Sequence, residues 1–360
     1  MKPPIAIAIS GGIDSLMAAS LLKEEGHDLT GLHFITGYEK EPLPEGAIPE
    51  TIYPRAASNP PLPICTIADQ LDIPIDLIDL RGVFKERVVD YFTNAYLRGT
   101  TPNPCLVCNP AIKFGALLSH AKKKGIHLLA TGHYARVSVD LKGVRHLKKG
   151  RDSIKDQSYF LAFLNQEQLR HAVFPLGELT KKEVVKLAQD RNLRPATPRE
   201  SQDICFIPHG RYHEFIEQEP WFQRKPGLIK NSEGKVIGKH EGLHLFTVGQ
   251  RRGINCPAAE PYYVAGMEID THTLFVGFKG ELQTRSCQVT QINWIQEPPH
   301  TQTPIMTKLR YSQREQRAIL SPINSNTASL HFEEPTFPVT PGQGAVFFKG
   351  EEILGGGVIG

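Results

Sequence analysis

The sequence predicts an α/β protein in which a parallel-sheet domain comes first and a β-barrel comes last. Strand and helix patterns alternate over the first two hundred residues, as in parallel sheets that carry helices on both faces. Beyond residue 226 the pattern changes to short strands separated by turn signals, which indicates a barrel or sandwich. We therefore expect three domains, over residues 1–200, 201–272 and 273–360, of which the middle one is small.

The composition is that of a folded protein. Of the 360 residues, 40% are apolar and 22% are charged, which is enough to bury a core and unlike a disordered chain. The sequence contains no run of 18 apolar residues, so we expect no transmembrane helix and no membrane partner. The N-terminal apolar run Ile5–Ile9 is too short for a signal peptide, and we expect a cytoplasmic protein.

Apolar runs and helix-ending residues predict the elements of the first domain. The predicted strands are Ile5–Ile9, Leu29–Ile35, Ile75–Leu80 and Ile126–Ala130. The predicted helices are Ser15–Glu25, Cys65–Leu71, Val83–Leu97 and Ile112–Lys124. Seven prolines in residues 41–63 predict an extended surface loop, and residues Thr100–Pro110 predict a second Pro-rich loop. Ligands of such sheets bind at the carboxyl ends of the strands.

Later elements follow from capping and turn signals. Thr180 with Glu183 three residues on is a capping box, which predicts a helix over Thr180–Asn192. Strands are predicted at Gly227–Lys230, Val236–Gly238, Tyr262–Glu268 and Thr273–Phe278.

A glycine-containing loop, Ser10-Gly11-Gly12-Ile13-Asp14-Ser15, joins the first strand to the first helix. Glycines let the backbone approach a phosphate, and a helix N-terminus offers unpaired N–H groups and the positive end of a dipole. Asp14 is a suitable Mg²⁺ ligand, and both serines can donate hydrogen bonds to phosphate oxygens. The loop is neither a Walker A motif nor a GxGxxG loop; the plain alternative is a glycine turn without a ligand.

Six cysteines are too few for a disulfide scaffold in a chain of this length, so we expect thiols, ligands or catalysts. Cys105 and Cys108 form a CxxC in the predicted Pro-rich loop, and Cys205 follows in the block Ser201–Phe206. From the residues alone, this CxxC fits a redox pair, half a zinc site, a cluster site or two packed structural cysteines.

The charge is unevenly distributed, although the formal net charge is only +3. Residues 110–160 contain eleven Lys or Arg against three acidic residues, and the rest of the chain is net acidic. Such an asymmetry is typical of a polyanion-binding face, and a solvated basic surface is the alternative.

Ordered sequence blocks carry a resemblance to a known family. The glycine loop resembles the SGGxDS loop of the PP-loop ATP pyrophosphatases, which cut ATP between its α and β phosphates. Over essentially its whole length the chain resembles the tRNA-specific 2-thiouridylase family of those enzymes. The blocks are Ser10–Ser15, Thr101–Asn109, Ile112–Gly115, Ala130–Arg136, Lys155–Leu161, Ser201–Phe206, Phe246–Gly253, Arg310-Tyr311 and Pro341–Val346.

The resemblance implies an adenine nucleotide alpha hydrolase-like PP-loop domain and 2-thiolation of the wobble uridine of tRNA. ATP with Mg²⁺ adenylates the uridine C2 oxygen, and a cysteine persulfide then delivers sulfur to C2 as AMP leaves. The resemblance places the persulfide on Cys205 and makes Cys108 its partner, which frees the sulfur by forming a disulfide with Cys205. A cysteine desulfurase or a sulfur-relay protein would supply the sulfur.

Other roles carry over by position. The implied ATP contacts are Ala8, Ile9, Ser10, Gly11, Gly12, Ile13, Asp14, Ser15, Phe34 and Gly132. The implied contacts to the target base are Asn103, Pro104 and Cys105. The implied tRNA contacts are His133, Lys155, Asp156, Gln157, Arg310, Tyr311 and Gln343. Each has a plain structural alternative, such as a core hydrogen bond, a surface ion pair or barrel packing.

Cys105 departs from the family pattern, because many members have Asp at this position. Two sulfur mechanisms therefore stay open: a persulfide relay in which Cys105 is minor, or a [4Fe–4S] cluster on Cys105, Cys108 and Cys205 whose fourth iron binds hydrosulfide. Pro110 also stands where the family commonly has a basic residue. A different PP-loop ligase and a non-catalytic tRNA-binding or zinc protein are the remaining alternatives.

Overall fold

The structure is a computed structural model that describes residues 2–39, 51–52, 64–196, 204–207 and 211–360. The chain divides into two compact units. The first unit comprises Met1–Arg87, Cys105–Phe206 and Glu351–Ile353, and the second comprises Val88–Pro104, Ile207–Gly350 and Leu354–Gly360. No helix of the described residues is both long and apolar enough to cross a bilayer.

Among the described residues, eight strands lie within the first unit. They are β1 (Ile5–Ala8), β2 (Leu29–Ile35), β3 (Thr51–Ile52), β4 (Ile75–Asp79), β5 (Leu128–Ala130), β6 (Ala135–Val139), β7 (Arg145–Lys149) and β8 (Ala172–Val173). Six of them form a sheet of order β3-β4-β2-β1-β5-β8, which is parallel except for β3. The predicted parallel sheet is thus confirmed. Strands β6 and β7 form an antiparallel hairpin, and Lys148 of β7 pairs with Glu352.

The helices are α1 (Ile13–Glu24), α2 (Cys65–Leu71), α3 (Arg81–Phe84), α4 (Asp90–Leu97), α5 (Pro104–Cys108), α6 (Leu118–Lys123), α7 (Gln166–His171), α8 (Lys181–Asp190) and α9 (Tyr212–Glu217). π-Helical turns over Lys85–Val89 and Asn109–Leu117 connect α3 to α4 and α5 to α6. Buried residues of α1, α2 and α8, among them Leu16, Ile67 and Val184, form one core with the sheet. The predicted capping box at Thr180 and Glu183 is present.

Two predicted loops contain regular structure. The predicted Thr100–Pro110 loop is wrong beyond its fourth residue, because helix α5 begins at Pro104. Proline is tolerated in the first turn of a helix, where its missing N–H has no intrahelical partner. Of the predicted loop at 41–63, all but Thr51–Ile52 lies outside the described residues, and these two pair with β4 despite the flanking prolines.

The second unit is rich in antiparallel strands. A four-stranded sheet of order β10-β9-β12-β11 consists of β9 (Gly227–Lys230), β10 (Val236–His240), β11 (Tyr262–Glu268) and β12 (Thr273–Phe278). The remaining strands are β13 (Thr284–Trp294), β14 (Thr303–Lys308), β15 (Gln316–Asn324), β16 (Thr327–Thr336), β17 (Gly344–Lys349) and β18 (Glu352–Ile359). They follow the order β13-β16-β15-β14-β17-β18, and β18 pairs back to β13, so the predicted C-terminal barrel is confirmed.

Candidate active site

The glycine loop lies between β1 and α1, at the carboxyl end of a central strand. Gly11 has a φ of 88°, a conformation that favours glycine, and Gly12 is the extended N-cap of α1. The Ser15 hydroxyl closes the loop: it accepts from the Ser10 N–H at 3.2 Å and donates to the Gly12 carbonyl at 3.0 Å. The first N–H groups of α1 therefore follow directly on a tight turn. This is the geometry with which helix N-termini bind phosphate groups.

Asp14, in the first turn of α1, accepts hydrogen bonds from two side chains. Its carboxylate oxygens lie 2.7 and 2.9 Å from Lys181 Nζ, and the Tyr134 hydroxyl donates to Oδ1 at 2.8 Å. The Asp14 and Lys181 side chains are 27% and 16% exposed, so the pair is partly shielded from solvent. No local sequence pattern marks Lys181, which places a cation beside the phosphate loop. A Walker A motif would carry such a lysine within the loop itself.

The segment after β5 packs directly against the backbone of the glycine loop. A Cβ on Gly132 would lie 2.8 Å from the Asp14 carbonyl carbon and 2.8 Å from the Ser15 nitrogen. Only glycine fits this approach, since no real side chain adopts such contacts with backbone atoms. Gly132 therefore places β5 next to the α1 N-terminus. Of the other predicted ATP contacts, Ile9 is buried and Ala8 and Phe34 are half-buried.

The three predicted cysteines lie in the first unit as thiols rather than in disulfides. Cys105 and Cys108 are partly buried on α5, and Cys205 is exposed. Burial raises the pKa of Cys105 to about 11, with the charge of Cys205 as the second cause. Burial also raises the pKa of Cys108 to about 12, and Cys205 and Cys105 add to the rise. Cys205 thus contributes to the raised pKa of both Cys105 and Cys108.

Cys205 is positioned by the residue that follows it. Phe206 is buried and packs edge-on against Phe84 and Tyr38, with ring centroids 5.6 and 6.1 Å apart. Tyr38 follows β2 closely along the chain, so this aromatic cluster ties Cys205 to the carboxyl end of the sheet. The protein around the exposed Cys205 still raises its pKa by desolvation, and Lys113 opposes that rise.

Lys113 lies on the π-helical turn that follows Cys108, and no role is predicted for it from the sequence. Its positive charge lowers the pKa of Cys105, Cys108 and Cys205, opposing the effect of burial. Its Nζ lies 3.3 Å from His133 Nε2. Lysine only donates, so Nε2 is the acceptor and the proton is on Nδ1, which lies 2.7 Å from the Thr131 hydroxyl. Burial and Lys113 lower the pKa of His133, which keeps the ring neutral.

A metal centre is not formed by these side chains. Within the described ranges, no group of three or more His, Cys, Asp or Glu residues could hold a metal ion. The iron–sulfur cluster on Cys105, Cys108 and Cys205 stays an alternative to the persulfide relay.

The predicted tRNA residues of the first unit form a folded turn beside Tyr134. Gln157 exchanges hydrogen bonds with the Tyr134 backbone at 3.1 and 2.9 Å. Asp156 is buried, and its carboxylate accepts from the Gly150 and Ser158 N–H groups and from the Ser158 hydroxyl. Lys155 is half-buried beside it. Asp156 thus shapes the turn that presents Lys155 and Gln157.

The predicted RNA-contacting residues of the second unit also contact other residues of that unit. Arg310 donates to the Val248 carbonyl at 2.8 Å and to the Thr340 hydroxyl. Tyr311 lies under Lys308, whose Nζ is 5.4 Å from the ring centroid. Gln343 donates to the backbone of the segment that leads into Asn103 and Pro104.

The basic segment 110–160 is partly neutralised within the first unit. Lys124 lies 2.5 Å from buried Asp76, and Arg136 lies 3.1 Å from Glu351. The segment therefore offers a weaker field than its sequence count indicates.

The parallel sheet and the glycine loop at the start of its first helix are those of a PP-loop enzyme that uses a nucleotide. Family models match three consecutive parts of the chain: the tRNA methyl transferase HUP domain over residues 3–209, the tRNA methyl transferase PRC-barrel domain over 213–278 and the aminomethyltransferase beta-barrel domain over 284–359.

Curated relatives cover almost the whole chain. The tRNA-specific 2-thiouridylase MnmA of Desulfosudis oleivorans is 48% identical over 99% of this chain and 95% of its own length. The proteins of the same name from Geotalea uraniireducens and Geobacter metallireducens are 42% and 40% identical, each over 99% of this chain and 94% and 96% of their own lengths. The chain belongs to the tRNA-specific 2-thiouridylase family.

Proposed function

We propose that this protein transfers sulfur to C2 of the wobble uridine of tRNA in an ATP-dependent reaction in the cytoplasm. The observation that carries the proposal is the joint presence, in one unit, of a glycine loop at a helix N-terminus and of the thiols of Cys108 and Cys205. An ATP loop alone would serve many ligases, and a thiol pair alone would serve a reductase. Their combination fits an enzyme that activates an oxygen and replaces it with sulfur.

The phosphate loop fits the substrate ATP. The N–H groups at the start of α1 and the hydroxyl of Ser10 would hold phosphate oxygens, while Ser15 keeps the loop closed and Gly132 keeps the adjacent strand close. Mg²⁺, when bound, would neutralise phosphate charge, and Asp14 is the carboxylate available to it in this loop. The uridine C2 oxygen attacks the α-phosphorus and pyrophosphate leaves, so that C2 carries AMP as a leaving group.

The two thiols, Cys108 and Cys205, would release the sulfur from a persulfide. A cysteine desulfurase or a relay protein would transfer a sulfur atom to Cys205 as a persulfide. The Cys108 thiolate attacks Cys205 Sγ, the persulfide S–S bond breaks, and hydrosulfide leaves. Hydrosulfide attacks C2 and AMP departs. The two cysteines end as a disulfide, which a thiol reductant returns to two thiols.

Asn103, Pro104 and Cys105 are proposed to hold the target base, and Lys155, Gln157, Arg310 and Tyr311 to face the RNA. A single-stranded wobble base can leave its stack and enter a pocket, which this chemistry requires. Buried His133 and Asp156 would act by shaping the surface rather than by touching a phosphate.

The test is formation of 2-thiouridine in unmodified tRNA, with ATP and a persulfide donor, by the wild-type chain and three variants. Cys205→Ser and Cys108→Ser should each abolish the product, since each removes one sulfur of the relay. Cys287→Ser, a partly buried thiol in the second unit, is the matched control and should retain activity. Full activity of Cys205→Ser would favour a different PP-loop ligase.

Two further readouts separate the alternatives. A tRNA-binding protein should lose affinity with salt, at about 0.7–0.9 log units per phosphate contact for each decade of salt, and a flat response would remove tRNA as partner. Iron and acid-labile sulfide are expected to be absent after anaerobic purification. Stoichiometric iron that is lost in Cys105→Ala would support the cluster mechanism instead.

A further inference from the structure

The segment Thr100–Pro104, which leads into the CxxC, is docked on a turn of the barrel within the second unit. The Thr101 N–H donates to the Pro341 carbonyl at 2.8 Å. The Gln343 side-chain amide donates to the carbonyls of Thr101 at 2.9 Å and Pro102 at 3.3 Å. The segment and the turn are about 240 residues apart in sequence, so only the fold brings them together.

A fourth contact and a glycine complete the docking. The Thr101 hydroxyl donates to the Thr247 hydroxyl at 3.2 Å, which fixes the same residue from another side. Gly342 has a φ of 89°, and a Cβ there would lie 2.9 Å from the Thr101 nitrogen and 3.0 Å from Thr100 Cβ. Glycine is therefore required at position 342 both by the backbone conformation of the turn and by the close approach of the segment.

The division of the chain agrees with this docking. Residues Val88–Pro104 belong to the second unit with the barrel, and Cys105 begins the part that belongs to the first. The two prolines Pro102 and Pro104 have no N–H to donate, so the segment cannot be held by its own regular structure. The amide of Gln343 satisfies two of its carbonyls instead.

We propose that the turn Pro341–Gln343 positions the base-holding segment Thr100–Pro104, and that Gln343 acts through this segment rather than by direct contact with tRNA. The inference rests on the proposed function, since Asn103 and Pro104 are the residues proposed to hold the target base. A base must be held in line with both the activating phosphate and the sulfur, and a small displacement of the segment that holds it costs rate rather than affinity.

The experiment compares wild type with Gln343→Ala, Gly342→Ala and Gln288→Ala. Gln343→Ala removes the amide, and Gly342→Ala leaves the amide in place but displaces the segment sterically. Gln288 is an exposed glutamine on β13 and is the matched control. Three quantities are measured: hydrogen exchange of the Thr101 amide in the free protein, Kd for unmodified tRNA, and kcat for thiolation at saturating tRNA.

Both test variants should speed exchange at Thr101 and lower kcat at least about tenfold, while Kd stays within about twofold of wild type. Gln288→Ala should change none of the three. A raised Kd with unchanged kcat and unchanged exchange in Gln343→Ala would overturn the proposal in favour of a direct tRNA contact. Faster exchange with unchanged kcat would also overturn it.

Failure of the proposed function gives a different pattern. A wild-type chain that forms no 2-thiouridine would defeat the sulfur-transfer proposal, whereas the exchange rates would still decide whether the turn holds the segment. Unchanged exchange in both variants would then overturn the positioning role by itself.

Discussion

Lys181 Nζ lies 2.7 and 2.9 Å from the two carboxylate oxygens of Asp14, so the acidic residue of the phosphate loop is paired with a lysine from the first turn of α8. The pair joins the start of two helices that share one core. It places a positive charge beside the loop proposed to hold ATP. A cation that is already oriented by Asp14 and near the N-terminus of α1 is well placed to hold phosphate oxygens.

Lys181→Ala should therefore raise KM for ATP while leaving the protein folded. We expect KM for ATP to rise about tenfold or more, since one charge-assisted contact to a charged ligand is worth roughly 1.5–3 kcal/mol. Steady-state pyrophosphate release at varied ATP measures the effect. Lys182→Ala, which removes an exposed lysine from the same turn, is the control and should leave KM unchanged. Equal KM values for wild type and Lys181→Ala would show that the pair is structural only.

The raised thiol pKa values predict how the free enzyme reacts with an alkylating agent. With a pKa of about 11 for Cys105 and about 12 for Cys108, both are almost fully thiols at pH 8. The thiolate fraction, and with it the alkylation rate, should rise about tenfold for each pH unit between 8 and 10 without a plateau. Peptide mass spectrometry after iodoacetamide pulses measures each site. A plateau below pH 9 would show that the free enzyme already holds these cysteines as thiolates.

Lys113 should set part of that reactivity. Lys113→Met removes the cation that lowers all three thiol pKa values, so alkylation at pH 8 should slow by about 3–10-fold at Cys105, Cys108 and Cys205, each pKa unit being a factor of ten. Lys123→Met, at an exposed position of α6, is the matched control. Unaltered rates in Lys113→Met would mean that its charge does not reach the thiols.

Gly132→Ala tests the close approach of β5 to the phosphate loop. The added methyl group would meet backbone atoms of Asp14 and Ser15 at 2.8 Å, and backbone cannot move aside as a flexible side chain can. We expect a loss of about 1–3 kcal/mol in the free energy of unfolding and weaker ATP binding. Gly82→Ala is the control, because a Cβ there meets no atom within 4 Å. Denaturant unfolding of the two variants, with and without ATP, gives both quantities; equal stability would contradict the packing argument.

Much of the fold could be predicted from the sequence, because the deciding interactions there are local. The strands Leu29–Ile35 and Thr273–Phe278 agree with the predicted bounds, since each is rich in apolar residues and is followed by a polar residue, Thr36 or Lys279. Thr180 and Glu183 determine the start of α8 within one turn. The predicted Pro-rich loop is wrong from Pro104 onward, because proline at this position begins helix α5 instead of preventing a helix.

The parts of the site that the sequence did not predict depend on contacts between distant residues. Lys181 and Asp14 are 167 residues apart, and no local pattern connects them. Lys113 lies in the family-like block Ile112–Gly115, but its role depends on His133 and on Cys205, which only the folded chain brings near. Burial of Asp156 likewise requires the turn that encloses it.

The central claim is that Cys108 and Cys205 release sulfur by forming a disulfide while ATP activates the uridine. The most direct test is one turnover of the persulfide-loaded chain with ATP and unmodified tRNA, without reductant, followed by non-reducing peptide mass spectrometry and quantification of 2-thiouridine. We predict one Cys108–Cys205 disulfide for each 2-thiouridine formed, and neither product without ATP. Formation of 2-thiouridine without that disulfide would contradict the account.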